Sequence, residues 1–437
     1  MLDLERAKFK YQRPYKTWKK MRILTKEDIQ NYTIGSTVLS TGGGGVAPSL
    51  EAVGKMVDRV HDAGKKIKLI ELDEVPDDAI IFSHVGTGGG VRSEMKEKWY
   101  FWTRARLQRD PKYPADRTEV LRELIRQADR EWCPLNTWSE LPGPDNPVGT
   151  GTEAGEKRLA EFAGGDPLTE LHFEVSPGFA RLVCNHAMVD RPYIDATAAG
   201  SRAAPEIGQN CFNLGNVNPT PAVFGTAMGD LVVVEKVLCF QRLEEILEGI
   251  STYSGAMTRG IHQVSVSDMK KYAFPGVESL VMDVGKAARS AVKSGKSTID
   301  AVLKVLHPRG FKLFEGEILN YWQDDKYGFI WGMARIKGTG DNKGHDMRIW
   351  YKNEHHVSWL DGKPYVTSPD CINVVDPETG WGLANFWPAE WETGRKVAVI
   401  GLEIEQEWET PMGLKIFGPQ HFRWDIEHVP IRKLIEK

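Results

Sequence analysis

The sequence predicts an α/β protein in two parts: a mostly parallel α/β N-terminal domain and a second, β-rich C-terminal domain. Three observations carry this. Helix-like and strand-like segments alternate from Ile23 to His84. After Gly310 short apolar runs are separated by glycine turns. The 14 tryptophans divide unevenly: five between Trp18 and Trp138, none from 139 to 321, and nine from Trp322 onward. Amphipathic aromatics spaced in this way fit strands. At 437 residues the chain exceeds one ordinary core, and the division is placed at 1–228 and 229–437.

Thr25-Lys26-Glu27-Asp28 is a capping-box pattern that opens a helix running to about Leu39. A glycine loop, Thr41-Gly42-Gly43-Gly44-Gly45, follows, and Pro48 suits the first turn of the next helix. That helix ends at Gly64, which supplies a left-handed cap. Lys66 to Leu72 and Ala79 to His84 read as strands, the second leading into Gly86-Thr87-Gly88-Gly89-Gly90. Residues 91–170 are dense in charge with interleaved aromatics. They read as an insertion of two or three surface helices and a long loop, a lid or an oligomer contact. The pattern resumes with a helix at Gly178 to Met188, a strand at Pro192 to Asp195, a strand at Leu231 to Phe240 and a helix at Gln241 to Ile250. Lys270 to Ser294 is helical around a Pro275-Gly276 break. Phe314-Glu315-Gly316, Asp361-Gly362 and Glu378-Thr379-Gly380 read as turns of a small sandwich or barrel.

Composition excludes several classes. With 56 basic and 60 acidic residues there is no basic excess for nucleic acid. No apolar run is long enough to span a membrane, and the N-terminus lacks a signal peptide's apolar core. Five scattered cysteines, Cys133, Cys184, Cys211, Cys239 and Cys371, show no CxxC spacing, so a reducing cytoplasm is expected.

The loop Thr41 to Gly45 is the sharpest chemical feature. Consecutive glycines bring backbone N–H groups close to a ligand, and a following helix adds its positive end, so a carboxylate or enolate-like oxygen fits there. No GK[ST] follows and no strand precedes, so it is neither a phosphate loop nor a dinucleotide fingerprint. The plain alternative is a tight turn. The second loop, with His84 and Gly88, ends a strand, where α/β sheets bind ligands. Glu174 to Asn218 is denser in polar groups than a connection needs, and it includes Asp195 and Asn213. Arg202 and Glu206, four apart around Pro205, either form a surface salt bridge or clamp a substrate carboxylate and supply an acid or base. Cys184 or Cys211 could be a nucleophile with His186 or His84 as base, or a buried hydrophobe. His84, His172 and His186 lack metal-ligand spacing. No cofactor is predicted and a divalent metal is left undecided. Asn353-Glu354-His355-His356 and Pro369-Asp370-Cys371 are candidate rims of the crevice.

Leu24 to Asp28, Gly35 through Gly45, Glu71-Leu72-Asp73-Glu74-Val75-Pro76-Asp77-Asp78, Glu174, Asp195 and Arg202-Ala203-Ala204-Pro205-Glu206 form an ordered set. Pro275-Gly276, Phe314-Glu315-Gly316, Gly328-Phe329, Asn353-Glu354, Pro369-Asp370 and Gly418-Pro419 extend it. Together they resemble the S-methyl thiohydantoin desulfurase family, over most of residues 22–430. The resemblance implies a hydrolase acting on five-membered cyclic amides by removing a sulfur substituent. Glu174, Asp195 and Glu206 would then be the acid and base, assisted by Arg202. The loop Thr41 to Gly45, His84, Gly88, Asn213 and Asp370 would hold the substrate. Its genes accompany hydantoinase/oxoprolinase-type enzymes. A homo-oligomer is therefore expected, with such a partner as a further possibility and, as the alternative role, an accessory subunit of an ATP-dependent hydantoinase- or carboxylase-like complex. Two motifs depart from the family pattern: Glu174-Val175-Ser176-Pro177 replaces a glutamate-x-glycine-glycine, and Asp195 to Ser201 loses a second carboxylate.

Overall fold

The computed structural model describes residues 20–87, 147–225, 231–254, 258–326 and 328–435. Helix α1 (Lys26–Leu39) begins as the sequence dictates. Thr25 accepts from the Asp28 N–H, and the Asp28 side chain accepts from the Thr25 N–H. Helix α2 (Leu50–Asp62) is capped by Ser49 rather than opened by Pro48. A free serine hydroxyl can satisfy the Ala52 N–H, which proline cannot. Gly64 takes the left-handed conformation expected of it, with φ +69°.

Strands β1 (Arg22–Leu24), β2 (Ile67–Ile70) and β5 (Tyr193–Ile194) form a small sheet. A five-stranded sheet has the order β4 (Thr169–Leu171), β3 (Ile81–Thr87), β9 (Thr258–Val264), β7 (Ala222–Gly225), β8 (Leu231–Val234). The α/β character expected of the N-terminal part is present, but its strands are not mostly parallel. Among the described residues of this part, the strand pairs β2–β5 and β3–β4 are parallel, whereas β1–β2, β3–β9, β7–β9 and β7–β8 are antiparallel. Apolar periodicity tells which face of a strand is buried, not which way its neighbour runs. Here β9 returns from farther along the chain to lie between β3 and β7. Residues past 228 thus continue this layer.

Most of the expected insertion lies outside the described residues. Its end is not on the surface: α3 (Pro147–Ala163) lays Leu159 and Ala160 against Phe82, Val223 and Ile261 of the five-stranded sheet, and 169–171 is strand β4. Helix α4 (Phe179–Met188) matches its expected span. The strand from Leu231 stops at Val234, and a helix runs from Phe240 to Ser254. Val266–Tyr272 is helical, and α5 (Val277–Ser294) starts at Gly276, which has φ +74°.

The C-terminal part is one antiparallel seven-stranded sheet. Its order is β15 (Lys363–Thr367), β14 (Glu354–Leu360), β13 (Asp346–Lys352), β12 (Phe329–Gly338), β11 (Gly310–Lys326), β17 (Lys396–Leu402), β16 (Cys371–Val375). It curls into a half-barrel that brings β14 towards β16. The turn expected at Phe314-Glu315-Gly316 is instead inside β11, a 17-residue strand. Two register shifts, at Lys312/Phe314 and Ile318/Asn320, bend it so that it pairs first with β17 and then with β12. Asp361 and Gly362, both with positive φ, make the expected hairpin turn. Trp331, Trp350, Trp359 and Trp424 meet edge to face on this sheet, with centroids 4.9–5.6 Å apart. No helix among the described residues is long and apolar enough to cross a membrane.

Helices α1 and α5 cross at two glycines. A Cβ on Gly35 would lie 1.9 Å from the Val281 carbonyl oxygen, and one on Gly285 would lie 1.8 Å from that of Asn31. Either backbone must therefore move to admit a methyl group. Gly285→Ala is expected to destabilise the fold by about 1–3 kcal/mol. This would be seen as a lower urea midpoint at unchanged m-value; an unaltered midpoint would show that the helices have slack.

Candidate active site

The glycine loop closes α1 and docks on the start of β14. The Thr41 carbonyl accepts from the His355 N–H at 2.8 Å, and the Gly42 carbonyl accepts from the Asn385 N–H at 2.8 Å. Thr41, Gly42, Gly44 and Gly45 all have positive φ, which a run of glycines tolerates. The Glu354 carboxylate lies in the cradle so formed. Its Oε1 accepts the Gly44 N–H at 3.1 Å. A Cβ on Gly43 would fall 1.6 Å from that same oxygen. The carboxylate expected of a ligand in this loop is thus supplied by the protein itself.

Glu174 faces the same place from the segment after β4. Its Oε2 accepts the Ala204 N–H at 2.6 Å. Glu174 perturbs Glu354. Burial pushes Glu174 up to about 8, against the lowering pull of the Ala204 N–H and the Arg202 charge. Burial and then the Glu174 charge push Glu354 well above the usual carboxylate range. Such a pair holds a proton at neutral pH, because neither burial nor repulsion allows both to ionise. Glu354 is buried and its Oε2 has no hydrogen-bond partner. Glu174, Ser176, Gly44 and Gly45 around it are half-buried. Beside them Ser176 Oγ lies 3.3 Å from His172 Nε2, whose Nδ1 lies 3.0 Å from Glu278 Oε1. This polar chain leads from the loop into the core.

The other expected site residues lie elsewhere. Arg202 is fully buried. It donates to the carbonyls of Ala203, Pro369 and Asp370 at 2.9, 2.6 and 3.3 Å, and its guanidinium lies 4.3 Å from the Phe417 ring centroid. It therefore joins backbone segments, and acts on Glu174 and Glu354 through its charge. Its expected pairing with Glu206 is not formed. Glu206 instead pairs with Lys352 and, at 2.8 Å, with His421. Burial pushes its carboxyl up, but Lys352 and His421 outweigh this and hold it at about 2. Asp195 accepts from the Ser279 N–H at 3.0 Å and from its hydroxyl, which fixes the first turn of α5. Asn213 donates to the Gly208 carbonyl at 2.6 Å. Asp370 accepts from the Ile404 and Ile431 N–H groups. His84 belongs to β3 and its side chain, like all of Gly88, lies outside the described residues. Burial pushes the Cys184 thiol up to about 11 and that of Cys211 well above its usual value, so neither forms a thiolate at neutral pH.

Sequence reasoning placed Glu354 on the rim and missed it as the partner of Glu174. The signal available was Lys352-Asn353-Glu354-His355-His356, five consecutive polar residues in a strand pattern; all five are buried. Such a run marks a polar network rather than a core.

A mixed-sheet α/β half and a curled antiparallel sheet meet where the glycine loop takes in the Glu354 carboxyl, and the chain is an α/β protein of two halves. The chain belongs to the S-Me-THD-like family: residues 27–99 match its N-terminal domain and residues 241–431 its C-terminal domain. No curated protein matches the chain. A crystal structure of a protein from Chromobacterium violaceum shares the fold, with 18% identity and a TM-score of 0.63. The match covers 94% of this chain and 100% of that one.

The Glu206 ion pair makes a pH-dependent contribution whose sign is fixed. Its folded-state pKa of about 2 lies below its ordinary value of 4.5. The stabilisation is therefore complete above pH 4.5 and is lost as the pH falls towards 2. Wild type should exceed Glu206→Gln in stability at neutral pH, and the gap should close across that window in acid unfolding. A gap that stays constant down to pH 2 would contradict the ion-pair account.

Proposed function

We propose that this chain is a hydrolase acting on a small cyclic amide or thiohydantoin-type ring, with Glu174 and Glu354 as its acid and base. The observation that carries this is the Glu354 carboxyl seated in the glycine loop near half-buried Glu174, both with pKa values raised by burial. Family membership supports the substrate class. Glu354 joins Glu174 in the acid and base pair that the sequence alone sought among Glu174, Asp195 and Glu206.

The reaction needs one proton delivered and one removed. The ionised member takes a proton from water as the water oxygen adds to the ring carbon between nitrogen and sulfur. The protonated member gives its proton to the ring nitrogen. The carbon–sulfur bond then breaks as the new hydroxyl becomes a carbonyl, and its proton leaves with the thiolate. Water and the S-substituted ring become the ring amide and a thiol; the pair again holds one proton, now on the other member, and passes it back before the next turnover. In both members burial favours the protonated form and the Arg202 charge the ionised one.

With an S-methyl thiohydantoin as substrate, Glu174→Gln and Glu354→Gln are each expected to lower kcat by about 10²–10⁴-fold. The rate should decline above pH about 8, where Glu174 loses its proton. Wild-type turnover in both variants, measured by thiol release, would sink the carboxylate mechanism.

A further inference from the structure

Away from the carboxylate pair, three potential metal ligands converge where the C-terminal tail meets the seven-stranded sheet. Asp370 comes from the corner before β16, Glu409 from the turn after β17, and His428 from the segment leading to the last helix, Ile431–Ile435. One ligand atom from each lies within 4.8 Å of the other two. Acidic clusters of this kind are common and mean little alone. Here the histidine adds an independent observation. The His428 side chain is only 3% exposed and its Nε2 lies 3.9 Å from Asp370 Oδ2. That nitrogen is buried without a hydrogen-bond partner.

Neither tautomer satisfies the ring. His428 Nδ1 lies 3.1 Å from Thr367 Oγ1. If Nδ1 carries the proton and donates there, the Nε2 lone pair faces a carboxylate. If Nε2 carries it, the nearest Asp370 oxygen is beyond hydrogen-bond reach. A cation resolves both cases. The hydroxyl contact at Nδ1 is the outer partner that a metal-ligating histidine ordinarily has. Asp370 is held in place by the Ile404 and Ile431 N–H groups at 2.9 and 3.0 Å, leaving lone pairs on both oxygens.

We propose that Asp370, Glu409 and His428 form a site for a first-row divalent cation, zinc by preference, that staples the C-terminal tail to the seven-stranded sheet. The distances allow it. Zinc binds imidazole nitrogen and carboxylate oxygen at about 2.0–2.2 Å, so one ion spans ligands up to about 4.2 Å apart. The His428–Asp370 separation of 3.9 Å is inside that limit. Glu409 is half-buried and can rotate to close its longer gap. Two carboxylates and a neutral imidazole match the charge of a dication. The absence of thiolate from the set favours zinc, manganese or cobalt over copper(I). The role is structural and does not depend on the proposed hydrolysis.

The test uses the full chain, treated with chelator, incubated with zinc chloride and desalted. One zinc per chain should remain by elemental analysis, with a Tm gain of about 2–5 °C over the chelated protein. His428→Gln and the more exposed Glu409→Gln should retain no zinc and show no gain, while circular dichroism confirms that they fold. His345→Ala, which alters an exposed histidine paired with Asp361, should behave as wild type. No retained zinc in the wild type would overturn the proposal, as would equal retention in His428→Gln and Glu409→Gln. Thiol release by the wild type, with and without zinc, reads the hydrolase proposal separately.

Discussion

The contact between the glycine loop and Glu354 is the constraint on which the site depends. A carboxylate can enter a turn of backbone only where side chains are missing, and Gly43 leaves that space to the Glu354 oxygen itself. The Gly44 N–H stabilises the ionised form, while burial and the nearby Glu174 oppose it. The balance leaves the Glu354 carboxyl well above the usual range. A loop suited to an external carboxylate has thus been given one of the chain's own.

Around this contact the two halves share one apolar core, and hydrogen bonds to backbone groups add to it. Arg202 holds the carbonyls of Pro369 and Asp370 against its own segment. The loop carbonyls of Thr41 and Gly42 take N–H groups from His355 and Asn385. Gly382 donates its N–H to the Thr37 hydroxyl at 3.0 Å. Hydrogen bonds of this kind fix position more narrowly than apolar contact does. They fix the loop against β14, and the close crossing of α1 and α5 holds the helix that carries the loop.

Much of the local structure was legible in the sequence. The capping box at Thr25, the left-handed Gly64 and the Asp361-Gly362 hairpin are set by a few adjacent residues, and short-range chemistry decides them. The glycine loop was legible as an anion site for the same reason. What the sequence hid depends on distant pairing. Nothing near residues 258–264 shows that they enter the first layer as an antiparallel strand. The bends of β11 come from its two partners. Glu206 is drawn from Arg202 by Lys352, 146 residues away. Glu174 was picked out by its polar neighbourhood, but its partner could be identified only once β14 was placed against the loop. Gly88 and most of the expected insertion lie outside the described residues.

The hydrogen bond from Gly44 to Glu354 joins residues 310 apart. Closing so long a stretch costs conformational entropy that only the assembled fold repays, so such contacts form after local ones. As the chain is synthesised, α1 and its loop emerge long before β14 exists. Until then the loop amides face water, and Glu174 has no second carboxyl to raise its neighbour's proton affinity. The seating of Glu354 in the loop is therefore a late event in the life of the chain, reached only when its last third has closed over its first.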